Sequence, residues 1–172
     1  ANPVIPLGAG LIASYLKKHL PQIDVQVFKA VTPLIEAIKE QKPDIIGLSN
    51  YIWNTNLCIG VAEYAREINP KALIIFGGPE IDSTPYNLSF FEKKYKVADF
   101  FVQHEGEIAF LDIIKNYIEF GKDVKRLTDE IQTFGNVFRI GKNGGIVKSP
   151  SLPRIADLDD IPSPYLMGLF DK

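Results

Sequence analysis

The sequence predicts an α/β protein built on a doubly wound parallel sheet, and three observations carry that prediction. Between residues 23 and 102, short β-rich runs alternate with segments of helical period. The runs are continuously apolar, as in Leu73-Ile74-Ile75-Phe76, which is what strands need when helices bury both faces. The 172 residues are 46% apolar and 23% charged, with a formal net charge of -2, an ordinary globular composition with room for one domain plus an appendage.

The elements follow in order. Ala1-Asn2-Pro3-Val4-Ile5-Pro6-Leu7-Gly8 is too short and too broken by proline to be a strand, so the strand that normally opens such a sheet is expected to be missing. Leu11, Ile12, Tyr15, Leu16 and Leu20 share one face of a first helix, and residues 23–27 read as a strand. Thr32 before Pro33 reads as the cap and first turn of a second helix carrying Leu34, Ile35 and Ile38. Strands at 44–48, 72–76 and 98–102 are expected to be central, not marginal. A third helix runs from about Thr55 to Ile68 and stops before Asn69-Pro70. Residues 78–96, with Pro79, Pro85 and the pair Phe90-Phe91, suggest a short helix with irregular flanks. Ile108, Leu111, Ile114 and Ile118 form one stripe of a helix from Glu107 to Glu119, which closes near Gly121.

In the strand order 2-1-3-4-5 of a flavodoxin- or Rossmann-like sheet, a missing first strand leaves a slot of unpaired backbone groups between its neighbours. Another chain, as in a homo-oligomer, or a rearranged segment such as the hairpin described next, is expected to fill or cover it.

Beyond Gly121 the pattern changes. Residues 136–140 and 146–148, joined by Gly141-Lys142-Asn143-Gly144-Gly145, read as a β-hairpin with a glycine-rich turn. The stretch after Ser149, rich in Pro and Asp, reads as a connector, and its final apolar cluster of Tyr165, Leu166, Leu169 and Phe170 implies something to dock on. The expected division is therefore an α/β domain at 1–121, a hairpin appendage at 122–150 and a linker at 151–172 toward a further domain.

Composition also excludes functions. Cys58 alone makes no internal disulfide, and no Cys/His cluster has the spacing of a zinc or iron-sulfur site. A lone Cys, no apolar run of about 18 residues and no signal pattern suggest a cytoplasmic protein away from membranes. With 19 basic against 21 acidic side chains and no basic stripe, nucleic acid is not an expected partner.

Ligands in open α/β sheets sit beyond the carboxyl ends of the strands, so the loops there hold the candidates. They are Lys29-Ala30-Val31-Thr32, then Gly47-Leu48-Ser49-Asn50-Tyr51-Ile52-Trp53-Asn54, then Phe76-Gly77-Gly78-Pro79-Glu80, and finally Gln103-His104-Glu105-Gly106-Glu107. Gly77 and Gly78 let a ligand lie against bare backbone, or simply make a strand-end turn. The Ser49 hydroxyl both donates and accepts, for a ligand or for a cap. Adjacent parallel strands would set the serine and the glycines side by side as two walls of one groove. Tyr51, Trp53 and Tyr86 offer flat apolar surface to a planar ligand, or packing. His104 is a ligand or acid-base group, or an ordinary loop residue; Glu107 beside it suits the start of a helix.

Several of these pieces together resemble the cobalamin-binding domain of cobalamin-dependent radical SAM enzymes. They are Pro6-Leu7-Gly8 before a helix, Pro43-Asp44-Ile45-Ile46-Gly47-Leu48-Ser49, Phe76-Gly77-Gly78-Pro79-Glu80, and Glu105-Gly106-Glu107. The tail from Ile161 to Asp171 is similar to the connector that leads into the radical SAM barrel in this family, a group that includes anaerobic magnesium-protoporphyrin IX monomethyl ester cyclase. The resemblance implies that the cofactor's nucleotide tail enters a deep slot beside the sheet while the corrin ring rests on the strand ends. Leu7, Gly8, Ser49, Asn50, Tyr51, Trp53, Gly77, Gly78, Pro79, Glu80, Glu105 and Gly106 would then be the cofactor-binding residues. Ser49 would bond the tail, and Gly77 with Gly78 would let it pass close to backbone. Tyr51 departs from the family's Ser-x-Leu/Thr element. Aligned on Gly8, the Asp and His of the D-x-H-x-x-G element fall on Pro3 and Ile5, so the resemblance implies base-off cobalamin without a histidine from this loop. The partner would be a C-terminal radical SAM domain carrying a 4Fe-4S cluster and S-adenosylmethionine. That cluster needs three thiolates, so a chain with Cys58 alone is expected to bind cofactor and not to catalyse by itself. The competing expectation is a flavodoxin-like interaction or regulatory domain that keeps the scaffold and holds no cofactor.

Overall fold

A computed structural model describes residues 5–82, 84–130 and 134–171, with Glu130 as backbone only. Residues 1–4 of the proline-broken opening, Pro3 among them, and the last linker residue Lys172 lie outside the described residues. Five strands form one sheet in sequence order: β1 (Ile45–Ser49), β2 (Leu73–Gly77), β3 (Phe100–Val102), β4 (Val137–Ile140) and β5 (Ile146–Lys148). The first three are parallel, and β4 and β5 are antiparallel.

The apolar runs are explained by what covers them. Residues 73–76 of β2 and all of β3 are buried, because helices pack on both faces. One face carries Ile46, Leu48, Ile74, Phe76 and Phe101 under α2 (Val31–Gln41), α3 (Thr55–Ile68) and α4 (Leu88–Lys94). The other carries Leu73, Ile75, Phe100 and Val102 under α1 (Leu7–His19), α5 (Glu107–Glu119) and α6 (Val124–Glu130). Arg66 of α3 pins the strand starts, donating to Ala72 O at 2.7 Å and to Asp99 Oδ2 at 2.8 Å, while that oxygen also accepts from Ile74 N at 2.8 Å.

Four expectations need correction. Residues 23–27 place Ile23 and Val25 against the second core cluster but join no ladder. A parallel strand persists only beside a neighbour in register, and no strand of the described residues lies there. For the same reason β1 is marginal and not central: it pairs with β2 alone. The hairpin does not cover that flank; it pairs with β3 at the opposite side, where Phe138 stacks on Phe101 at 4.8 Å. Finally, α2 starts at Val31 after Ala30 with no side-chain cap, so Thr32 is inside the helix. The short α6 has only Val124 and Leu127 as apolar anchors, too few for a periodic signal.

The connector docks on the module itself. Phe170 and Pro164 pack on the bare backbone of Gly10 in α1, Lys29 Nζ donates to Phe170 O at 2.8 Å, and Lys18 Nζ donates to Asp160 O at 2.7 Å.

Candidate functional site

Strand register brings the serine and glycine walls together: Ser49 of β1 and Gly77 of β2 are direct cross-strand partners. Side chains alternate along a strand, so Gly47, Ser49 and Gly77 look toward the α1/α5 face, the same side as Ile45 and Ile75. Gly47 meets the Phe110 ring of α5, which stands 2.8 Å from where a Cβ would be. A Cβ on Gly77 would meet only Val102, at 3.6 and 3.8 Å. The Ser49 carbonyl accepts from Asn54 Nδ2 at 3.0 Å, whereas its half-buried hydroxyl has no partner among the described residues. The Cys58 thiol approaches the same carbonyl at 3.8 Å, and burial pushes its pKa up, which keeps it an unreactive thiol.

The two loops are tied by backbone. Asn50 N donates to Gly77 O at 2.6 Å, and Glu80 N donates to Asn50 O at 3.3 Å. Gly78 has φ 103°, and a Cβ there would lie 2.5 Å from Asn50 O, so only glycine lets the loops close. The Asn50 side chain is fully buried and donates to Tyr95 Oη at 2.9 Å, on the α4 side of the sheet. Asn50 therefore shapes the loops through its backbone and keeps its amide within the core.

Beyond β1 the chain raises a flat aromatic ledge. Tyr51 and Trp53 stack at 4.7 Å with 18° between rings, and Trp53 is 78% exposed. Asn54 holds the ledge by accepting from Tyr51 N at 2.7 Å, and Thr55 Oγ1 donates to Tyr51 O at 2.9 Å. Tyr86 is fully exposed and has no ring partner among the described residues.

The remaining candidates sit around this end of the sheet. Leu7 and Gly8 open α1, both exposed, and a Cβ on Gly8 would touch nothing within 4 Å. Pro79 is exposed, and Glu80 lies 3.9 Å from Lys94 Nζ. Glu105 pairs with Arg154 at 3.2 Å. Gly106 is buried before α5, where a Cβ would stand 2.8 Å from Ile12 Cδ1, so its bareness allows α1 and α5 to approach. His104 is exposed with φ 56°.

Sequence reasoning missed one residue and assigned two too little. Gly47, named only as part of the strand-end run, lies one pleat below Ser49 and takes the Phe110 ring against its backbone. Asn136, with φ 60°, accepts from Gln103 N at 2.8 Å and from Leu152 N at 2.8 Å, and its Nδ2 donates to Glu105 O at 3.3 Å, so it orders the loop after β3. An Asn just ahead of a strand run was the only signal for it. Glu107, read as a helix-start residue, is only 7% exposed, and its Oε2 has no partner.

Ser49 and Gly77 are both half-buried, with bare backbone at Gly77 and the Phe110 ring over the neighbouring Gly47. The best-formed cavities lie elsewhere, one between Glu105, Ile108, Asn136 and Leu152 and one beside Phe134 and Val147, each with room for about one water. Among the described residues no helix is long and apolar enough to cross a membrane, and no group of three or more His, Cys, Asp or Glu side chains is gathered to hold a metal ion.

An open α/β sheet that sets a free serine hydroxyl, a bare glycine and an aromatic ledge at its carboxyl end is arranged as a ligand-binding module. Residues 1–114 match the family model described as B12 binding domain, and the chain belongs to that family. It is 30% identical over 174 residues to the cobalamin-dependent radical SAM methyltransferase TokK of Streptomyces tokunonensis, covering 98% of this chain and 24% of that protein. It is 28% identical over 178 residues to the 2-(S-pantetheinyl)-carbapenam-3-carboxylate methyltransferase of Streptantibioticus cattleyicolor, covering 99% and 24%. The fold is that of a segment of the cobalamin-dependent S-adenosylmethionine radical enzyme OxsB with aqua-cobalamin bound: TM-score 0.69, 19% identity, 99% of this chain and 23% of that one. The chain thus spans about a quarter of the length of these relatives.

Proposed function

We propose that the chain is the cobalamin-binding module of a radical SAM enzyme and that it holds the cofactor base-off, with no histidine below the metal from its first loop. The observation that carries this reading is the unpartnered Ser49 hydroxyl set in register beside Gly77, whose backbone is bare on that face. A nucleotide tail fits such a groove because it needs one polar anchor and close approach to main chain. Ser49 would hold the tail, Gly77 would admit it, and the exposed Tyr51–Trp53 stack offers a planar apolar surface to the ring. Ile5, at the position aligned with the family histidine, is exposed and has no group that binds a metal. Cobalamin supplies a cobalt that carries a methyl group or supports other radical steps.

The protein's own residues bind and orient; the 4Fe-4S cluster and S-adenosylmethionine belong to a C-terminal radical SAM domain, for which Cys58 alone provides no ligand set. The open flank of β1 is where a further strand, from this protein or a second copy, would pair. A single thiol, buried, suits a cytoplasmic site.

Titration of the purified protein with hydroxocobalamin, followed by its visible spectrum, tests the reading. Saturable binding with a spectrum free of imidazole ligation is expected. Ser49→Ala should weaken binding about 3- to 10-fold, the worth of one neutral hydrogen bond, without shifting the thermal midpoint. No binding by the unaltered protein overturns the assignment, and an imidazole-ligated spectrum overturns the base-off state.

A further inference from the structure

Glu107 is the least satisfied charged group near the groove. It is only 7% exposed, its Oε2 is buried without a hydrogen-bond partner, and no ion pair is made to it among the described residues. A buried carboxylate with no donor is expensive for a protein to keep, at roughly 1–3 kcal/mol or more for the missing bond. Position adds a second observation. Phe110 of α5 lies over Gly47, and Glu107 is three residues earlier, about 4.5 Å up the helix toward the carboxyl ends of the strands. Ser49 is two residues beyond Gly47, about 6.7 Å in the same direction. The carboxylate of Glu107 and the hydroxyl of Ser49 thus both lie on the α1/α5 side of the sheet, toward the carboxyl ends of its strands, each without a hydrogen-bond partner among the described residues. The buried seam with α1 closes the other side: Gly106 abuts Ile12, and the charge of Glu107 contributes to raising the Tyr15 pKa, after burial, Asp160 and Asp112.

We infer that Glu107 is a further binding residue of this groove, a hydrogen-bond acceptor for hydroxyl or amide N–H donors on the nucleotide tail of the bound cofactor. The inference rests on the cobalamin reading and extends it. An ionised carboxylate only accepts, whereas a serine hydroxyl also donates, so the pair selects a ligand that presents at least one donor. A negative group here disfavours the phosphate of the tail, which leaves the sugar hydroxyls as the complementary donors.

The test uses Glu107→Gln and Glu107→Leu in the same protein, with hydroxocobalamin and with dicyanocobinamide, which lacks the tail. Glu107→Leu should bind hydroxocobalamin about 10- to 100-fold more weakly, the worth of a hydrogen bond to a charged group, and Glu107→Gln, whose amide oxygen still accepts, should lose less than Glu107→Leu. Their affinity for dicyanocobinamide should equal that of the unaltered protein. Their ligand-free thermal midpoints should change little, since the unpartnered buried oxygen and the favourable helix-start carboxylate are lost together; a residue with only a structural role would lower midpoint and affinity together. Unchanged hydroxocobalamin binding, or an equal loss for dicyanocobinamide, overturns the role of Glu107 and leaves the cobalamin assignment standing. Failure of the unaltered protein to bind hydroxocobalamin removes both.

Discussion

At the scale of single residues, the site is made by atoms that are absent as much as by those present. Gly78 and Gly8 show the contrast. Gly78 has φ 103°, and a Cβ there would stand 2.5 and 2.9 Å from Asn50 O and N, all of it backbone that cannot swing aside. Gly78→Ala should therefore lower stability by about 2 kcal/mol or more, read from the urea midpoint. Gly8 lies in α1 with nothing within 4 Å of its would-be Cβ, so Gly8→Ala should raise stability by about 0.5 kcal/mol in the same measurement. Equal effects of the two changes would refute the assignment of Gly78 as the residue that lets the loops close. The serine and glycines were legible in sequence because they follow buried strands. Asn50 was legible as a position and not in orientation, since nothing local says whether its amide faces Tyr95 or a ligand.

At the scale of elements, a helix or strand forms when its neighbours exist. The period of α5 was plain from sequence, and so were the apolar runs of β2 and β3. Residues 23–27 have the same β-rich character but remain outside the sheet, because ladder hydrogen bonds come from a partner and not from propensity. The hairpin was legible too, whereas its pairing with β3 depends on the meeting of Phe138 and Phe101, 37 residues apart in the chain. Burial of α5 also carries a pH signature. Tyr117 is 2% exposed, and burial, then the charges of Asp44 and Asp99, push its hydroxyl pKa up to about 12. Its proton is held more tightly folded than unfolded, so its stabilisation is complete below pH about 10 and is lost as pH rises from there through about 12. Tyr117→Phe should flatten the alkaline fall of unfolding free energy by up to about 2 kcal/mol across that window, measured by urea titration at successive pH values. Parallel curves for the two proteins would show that the tyrosine does not contribute.

At the scale of the whole molecule, the connector and the site loops share one helix. Phe170 packs on Gly10, Tyr165 meets Phe170 edge-on at 5.0 Å, and Lys29 and Lys18 hold the connector by its carbonyls. Leu7 and Gly8 thus open the same helix on which Pro164 and Phe170 pack. Phe170→Ala should free the connector first, so limited proteolysis within residues 161–171 should accelerate about 10- to 100-fold while the global unfolding midpoint moves little. Cleavage at an unchanged rate would show that this packing does not hold the segment.

By itself the amino-acid order determined the α/β class, the helices with a strong apolar period, the serine and glycine loops and the family they resemble, because each of these is written in short-range pattern. Only the tertiary structure decided which strands pair, that the hairpin extends the sheet beyond β3, that residues 160–170 fold back on α1, and that Glu107 is buried without a partner. Those outcomes depend on contacts between residues far apart in the chain, whose energies exist only once the backbone has brought them together.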